Sequence, residues 1–284
     1  MNKQTLYAIL TIALVPIGIL LIFMRMTVEM PQPAHTPVKI VTDNTAYQQI
    51  AESLTYKNGH VVVVNGALMT TTDKQNFKAA EVVITDSHQS QLLTQRRKMK
   101  LHSKLLIASD VLDNQNYTNY WLSPDVILQT ITRLTNLLSD MDPQYRNSYV
   151  KNSEKMSQET QLLADKIEVL KTKKNVNYVA TNQAQQVFMS QLGYKSVVPN
   201  LESLSDDDFN HLEKELKSGK IQFILRASQD QTEHDRRLVK LADNAKIPVI
   251  TFNQVLPHDQ KVWQWQLQLV KQLENAVTIG SGRV

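Results

Sequence analysis

Short apolar runs alternate with amphipathic segments along most of the chain. The apolar runs, rich in β-branched residues, occupy residues 38–41, 60–66, 81–86, 104–110, 176–181, 221–227 and 247–252. Uninterrupted runs of this kind are typical of strands that are buried on both faces of a parallel sheet. Because helical segments separate them, the pattern predicts an α/β fold made of parallel sheets with flanking helices.

The apolar residues in the segments between these strands recur at helical spacing, which predicts that these segments are helices. The predicted helices cover residues 46–55, 72–80, 125–141, 183–193, 205–219, 233–246 and 261–277. Thr72 or Asp73 is the expected N-cap of the second helix, and Ser123 that of the third, with Pro124 in its first turn. Gly193 is expected to end the fourth helix in a left-handed C-cap.

One helical pattern is much longer than the others. It covers residues 143–174, with apolar residues at Met156, Leu163, Ile167 and Leu170. A helix of about 30 residues is roughly 45 Å long, enough to span two lobes. We therefore expect two similar α/β lobes, at residues 38–142 and 175–284, joined by one long backbone helix at 143–174.

The start of the chain has a different pattern. Residues 6–24 carry no charge, and Lys3 and Arg25 flank them. About 20 apolar residues span a bilayer core, whereas a secretory signal has a shorter apolar region and a small-residue cleavage site. Residues 1–27 are therefore expected to be an uncleaved transmembrane signal anchor, with a cleaved signal peptide as the alternative. A Pro-rich spacer at residues 28–37 would follow, and the bulk would be extracellular, as on a Gram-positive surface.

Composition excludes several kinds of site. The chain has no cysteine, which excludes disulfides, thiolate metal sites and cysteine nucleophiles. A net charge of +4 is too small and too scattered to indicate nucleic acid as a partner. The densest basic run, residues 95–104, is interpreted as a solvated helix end or loop. No Gly-x-Ser-x-Gly, phosphate-binding glycine loop or HExxH motif is present, so an enzyme is not expected.

Several motifs resemble those of the solute-binding proteins of zinc and manganese ABC importers. Trp-Leu-Ser-Pro at 121–124 matches the helix start of that family, and Asp-Pro at 142–143, Tyr149 and Asn152 follow in the family's order. The resemblance covers about residues 38–277. It implies capture of a metal ion or small solute, with an ABC permease and an ATPase in the same membrane as partners.

The resemblance also implies a metal site built from four side chains, two from each lobe, rich in histidine with a glutamate or aspartate. In this chain the four corresponding residues are all asparagine, at Asn65, Asn119, Asn182 and Asn253. The resemblance implies that these asparagines converge on one cleft between the lobes. Zinc prefers imidazole, thiolate or carboxylate ligands, whereas an amide is neutral. Zn²⁺ or Mn²⁺ is therefore expected only if the family function is retained.

Three interpretations of the four asparagines stay open at this point. They could serve only the conformation of their loops, since asparagine is common where strands end. They could bind a polar non-metal ligand, since each amide both donates and accepts, or retain weak metal binding through their oxygens. The expected function is a membrane-anchored extracellular solute-binding protein; the alternative is a binder of a polar non-metal ligand, or a surface adhesion or scaffold protein with a vestigial cleft.

Overall fold

The structure is a computed structural model that describes residues 15–17, 19, 36–113, 117–229 and 232–281. Residues 37–284 form one compact unit. Nearly all of the predicted signal anchor and of the spacer lies outside the described residues. Among the residues that are described, no helix has both the length and the apolar character needed to cross a membrane.

The N-terminal lobe contains a parallel sheet of four strands in the order β2-β1-β3-β4. Its strands are β1 (Val38–Thr42), β2 (Gly59–Val63), β3 (Val82–Thr85) and β4 (Lys104–Ile107), and its connecting helices are α1 (Thr45–Thr55), α2 (Thr71–Ala79) and α3 (Gln91–Lys98). All four residues of β3 are buried, as the continuous apolar run predicts for a central strand.

The C-terminal lobe repeats this arrangement, with a parallel sheet in the order β6-β5-β7-β8. Its strands are β5 (Asn177–Ala180), β6 (Lys195–Ser196), β7 (Phe223–Ala227) and β8 (Val249–Phe252), and its connecting helices are α6 (Gln186–Gln191), α7 (Asp206–Lys217) and α8 (Glu233–Ala245). The prediction of an α/β fold with two parallel sheets and flanking helices is therefore confirmed.

Three long helices pack against one another: α4 (Pro124–Met141), α5 (Arg146–Thr172) and α9 (Val262–Ser281). Helix α5 packs against α1 and α4 of the N-terminal lobe and also against α9. Lys166 on α5 forms an ion pair with Glu274 on α9. One continuous cluster of buried apolar side chains extends from β1 through α5 to α9, so the two lobes share a single main core.

Capping chemistry explains where one helix differs from its predicted start. Helix α2 begins at Thr71 because Thr70, rather than Thr72 or Asp73, is its N-cap. The Thr70 hydroxyl accepts from the backbone N–H of Asp73 at 3.1 Å, and the Asp73 carboxylate accepts from the backbone N–H of Thr70 at 2.9 Å. This reciprocal capping box fixes the helix start two residues before Asp73.

Other helix and strand boundaries differ from the predicted ones because short turns interrupt the predicted elements. The run at 104–110 is strand only to Ile107, since Ala108–Val111 form a 3₁₀ turn. A separate 3₁₀ turn at Pro143–Tyr145 precedes α5. Pro143 has no backbone N–H, so it cannot donate the hydrogen bond that would extend the preceding helix. Gly193 has a φ of 75°, which places it in the left-handed region that was predicted for it.

Candidate functional site

Two aspartates follow adjacent strands at the carboxyl edge of the N-terminal sheet, where open α/β sheets bind ligands. Asp43 follows β1 and Asp86 follows β3. The backbone N–H of Asp86 donates to the two Asp43 carboxylate oxygens at 3.2 and 3.3 Å, and the Ser90 hydroxyl donates to Asp43 at 2.5 Å. Burial, together with the nearby Asp86 charge, raises the pKa of Asp43 to about 6. The sequence pattern had not indicated Asp43 as a site residue.

Asp86 holds the chain segment that leads into helix α4. Its carboxylate accepts from the Tyr47 hydroxyl at 2.6 Å and from the backbone N–H groups of Tyr120 and Trp121 at 2.9 Å each. Burial raises the pKa of Asp86, although these three hydrogen bonds act in the opposite direction. Because its oxygens already accept these bonds, Asp86 serves mainly to position the Trp-Leu-Ser-Pro segment.

Asn119 lies two residues before Trp121, in the left-handed region with φ 55° and ψ 52°. Asparagine and histidine are among the few residues other than glycine that are enriched in this region. The backbone at position 119 therefore suits either the asparagine that is present or the histidine of the family pattern.

Asn65 lies after β2 and lines the same cavity as Asn119. The cavity has a volume of about 480 Å³ and is also lined by Asp43, Asp86 and Ser90. The Asn65 side-chain oxygen accepts from the backbone N–H of Ala67 at 2.9 Å. This bond closes an Asx-turn, in which the side chain stabilises its own loop.

The two remaining asparagines belong to the C-terminal lobe and line two other cavities. Asn182, after β5, lines a cavity of about 330 Å³, and its oxygen accepts from the backbone N–H of Ala184 at 3.0 Å. Asn253, after β8, lines a cavity of about 290 Å³, and its oxygen accepts from Gln229 and, at 3.4 Å, from the backbone N–H of Val255. The structure thus brings Asn65 and Asn119 together; convergence of all four on one cleft stays a prediction.

The arrangement is built for hydrogen bonding. Three of the four amide oxygens accept a backbone N–H two residues further along their own loops. His88 contacts Asp110 at 2.6 Å, with Arg133 3.7 Å from the same carboxylate. Within the described ranges, no three His, Asp or Glu side chains are grouped so that they could hold one metal ion.

Sequence reasoning also missed a set of glutamines around the cavity that contains Asn253. Gln185 precedes α6, and Gln266 lies on α9 beside Trp265. The available signal was the alternation of tryptophan and glutamine at residues 263–266, which was interpreted only as part of an amphipathic helix. Burial of the Gln266 side chain on that helix depends on its packing and is not visible in the pattern.

The chain has the architecture of the bilobed solute-binding receptors of the metal-importer class: two such lobes, one long shared helix and polar loops at the strand ends. It belongs to the family described as zinc-uptake complex component A, periplasmic (ZnuA), whose model matches residues 42–276. This confirms the resemblance that the Trp-Leu-Ser-Pro segment and the order of lobes indicated. No curated protein matches the chain.

Solved structures of similar fold include a periplasmic metal-binding protein from candidatus liberibacter asiaticus. Its cadmium-bound form has 14% sequence identity and a TM-score of 0.63, over 85% of this chain and 100% of that one. Its manganese-bound form has 15% identity and a TM-score of 0.63 over the same shares of each chain. A mutant of the laminin-binding adhesin (Lmb) from Streptococcus agalactiae has 14% identity and a TM-score of 0.61, over 85% of this chain and 98% of that one. At these identities the likeness concerns the fold alone.

Proposed function

We propose that this chain is the exported solute receptor of an ABC importer and that it has lost the tight capture of zinc or manganese. Membership of the zinc-uptake family supports a receptor and not an enzyme. The observation that carries the proposal is asparagine at all four positions where the family pattern has metal ligands, Asn65, Asn119, Asn182 and Asn253.

Neutral amides are a poor substitute for the ligands of a transition metal. Zinc sites are formed by imidazole, thiolate and carboxylate, and four amides would leave the double positive charge without an anionic ligand. The oxygens of Asn65, Asn182 and Asn253 already accept the bonds that stabilise their loops, which leaves each oxygen less capacity to coordinate a metal ion. Asp43 and Asp86 carry the nearby negative charge, but both already accept several hydrogen bonds.

The receptor would act at the outer face of the membrane, held there by residues 6–24. A permease and an ATPase of the same membrane would receive its solute. The uncharged length of that segment supports the tether, since about 20 apolar residues suffice to span a bilayer.

The proposal is tested by calorimetric titration of zinc and of manganese into the chelator-treated full chain, purified in mild detergent. We expect no tight stoichiometric binding of either ion. The combined variant Asn65→His, Asn119→His, Asn182→His and Asn253→Asp should recover part of the affinity, because it restores imidazole and carboxylate ligands. Recovery would be incomplete where the groups that orient such histidines are also missing.

A matched control introduces three histidines and one aspartate at positions on the surfaces of different helices. Asn136→His, Asn147→His, Asn210→His and Asn244→Asp all fall on exposed helical positions, and this variant should gain no tight site. Tight, stoichiometric zinc binding by the unmodified chain would overturn the proposal. Failure of the restored variant to bind would show that the four loops do not form one site.

A further inference from the structure

A cavity between the two lobes has a composition unlike a metal site. Its walls come from Leu122 before α4, from the end of β8 and from one face of α9, and its volume is about 290 Å³. Pockets for small molecules usually measure about 300–1,000 Å³, so this cavity suits a small solute. Because Leu122 belongs to one lobe and β8 to the other, a solute here would contact both.

The described residues that line this cavity include no ionisable side chain. Half of them are carboxamides, namely Gln185, Asn253, Gln260, Gln266, Gln268 and Gln272. A charged solute would lose its hydration here without gaining a counter-charge, which is strongly unfavourable. Carboxamides donate and accept equally well, so they favour an uncharged solute with both kinds of group.

Two of these glutamines are buried and have amide atoms without a hydrogen-bond partner among the described residues. Gln185 is 1% exposed, and neither its amide oxygen nor its amide nitrogen has a partner among the described residues. Gln266 is 2% exposed; its nitrogen donates to the Trp121 carbonyl at 2.9 Å, and its oxygen has no partner in the same part of the chain. Buried polar groups in folded proteins are nearly always paired, so these amide groups are available to a ligand or a water that enters the cavity.

An aromatic wall completes the cavity. The Trp265 ring lines it and stacks on Trp121, with ring centroids 5.5 Å apart and 18° between the planes. Trp121 is itself held through its backbone N–H by Asp86. The Trp265 ring is therefore a positioned, flat, apolar surface, against which a planar solute can stack.

We propose that this cavity binds a small, uncharged, planar solute that carries a carboxamide or an equivalent donor–acceptor edge. The edge pairs with Gln185 and with the Gln266 oxygen once these amides turn towards the cavity, and the plane packs against Trp265. As the identity of the transported solute this inference rests on the proposed receptor function, whereas binding in the cavity can be measured independently of it.

The test uses probes that separate charge from shape. Nicotinamide and nicotinate share a ring and differ in whether the substituent is a carboxamide or a carboxylate; uracil is a second uncharged planar probe. Each is titrated into the full chain in detergent, with calorimetry and the thermal unfolding midpoint as readouts. We expect nicotinamide or uracil to bind and raise the midpoint, and nicotinate to bind at least about tenfold more weakly.

Gln185→Met connects binding to the cavity, because methionine keeps the length of the side chain and removes its amide. The variant should lose nicotinamide and uracil binding, yet unfold at a higher temperature without ligand, because an unpaired buried amide has been removed. Gln222→Met is the matched control: Gln222 accepts from the backbone N–H of Asn177 at 2.6 Å, at the opposite end of the strands. It should lower the midpoint and leave probe binding unchanged.

Each contrary result overturns the inference. If neither uncharged probe binds, the cavity holds water only. If nicotinate binds as well as nicotinamide, the solute is not selected for lack of charge, and if Gln185→Met retains binding, the site is elsewhere. Tight zinc binding by the unmodified chain would instead overturn the proposed function and leave the nicotinamide result unaffected.

Discussion

At the residue scale, the Asp43 carboxyl links the pH of the solution to the stability of the fold. Its pKa of about 6 in the folded chain lies above the ordinary value of 3.8, first because it is buried and also because Asp86 is close. Between these two values the folded chain holds the proton more firmly than the unfolded chain does. The contribution of Asp43 to the free energy of unfolding is therefore complete below about pH 4 and is lost as the pH rises through about 6.

We expect the free energy of unfolding to fall between about pH 4 and about pH 7, by on the order of 3 kcal/mol from Asp43. Asp43→Asn should flatten that fall, since the carboxyl no longer titrates. Urea unfolding at several pH values measures both. Asp73→Asn is the control, because hydrogen bonds from Thr70 lower the pKa of that exposed carboxyl, so its removal should not flatten the fall. An unchanged slope in Asp43→Asn would contradict the prediction.

Residue chemistry also sets the limit of what the sequence could predict about the site. The positions of Asn65, Asn182 and Asn253 at strand ends followed from the pattern, and their Asx-turns agree with the conformational interpretation of these residues. Gln185 could not be identified as a site residue from the sequence. Its amide is buried without a hydrogen-bond partner only because of how the surrounding residues of both lobes pack. Asp43 was missed for the same reason: its pKa depends on burial and on a neighbour 43 residues away.

At the element scale, the long apolar runs and helical patterns indicated the elements that make most of the core. The sequence missed α3, because only Leu92 and Leu93 of its residues are buried and its helical period is weak. It also missed β6, a strand of two exposed residues with no apolar signal. An element that buries few of its own side chains has a weak apolar pattern in the sequence, and these two elements are at or near the edges of the lobes.

Helix α5 offers the sharpest test of packing at this scale, because two adjacent leucines face in different directions. Leu163 is 1% exposed and belongs to the shared core, whereas Leu162 is 48% exposed. Leu163→Ala should lower the free energy of unfolding by about 2–5 kcal/mol, through lost burial and the cavity that remains. Leu162→Ala should change it by less than about 0.5 kcal/mol. Equal effects in urea unfolding would contradict the assigned faces of the helix.

At the scale of the whole molecule, we propose that the apolar segment at residues 6–24 holds the receptor at the membrane. We expect the full chain to stay in the membrane fraction after carbonate washing. The double variant Ile12→Arg and Ile17→Arg should release it, because a charge at the bilayer centre is costly. Recovery of a soluble product that begins within residues 28–38 from the unmodified chain would show that the segment is cleaved instead.

The shared apolar core has a thermodynamic consequence for the receptor. The cluster that extends from β1 through α5 to α9 contains apolar side chains of both lobes, so part of the buried surface of each lobe packs against the other. If the C-terminal lobe opened alone, α9 would leave α5 and expose apolar surface of the N-terminal lobe to water. We therefore expect the lobes to unfold as one cooperative unit, and occupancy of a single inter-lobe cavity to slow amide hydrogen exchange in both sheets together.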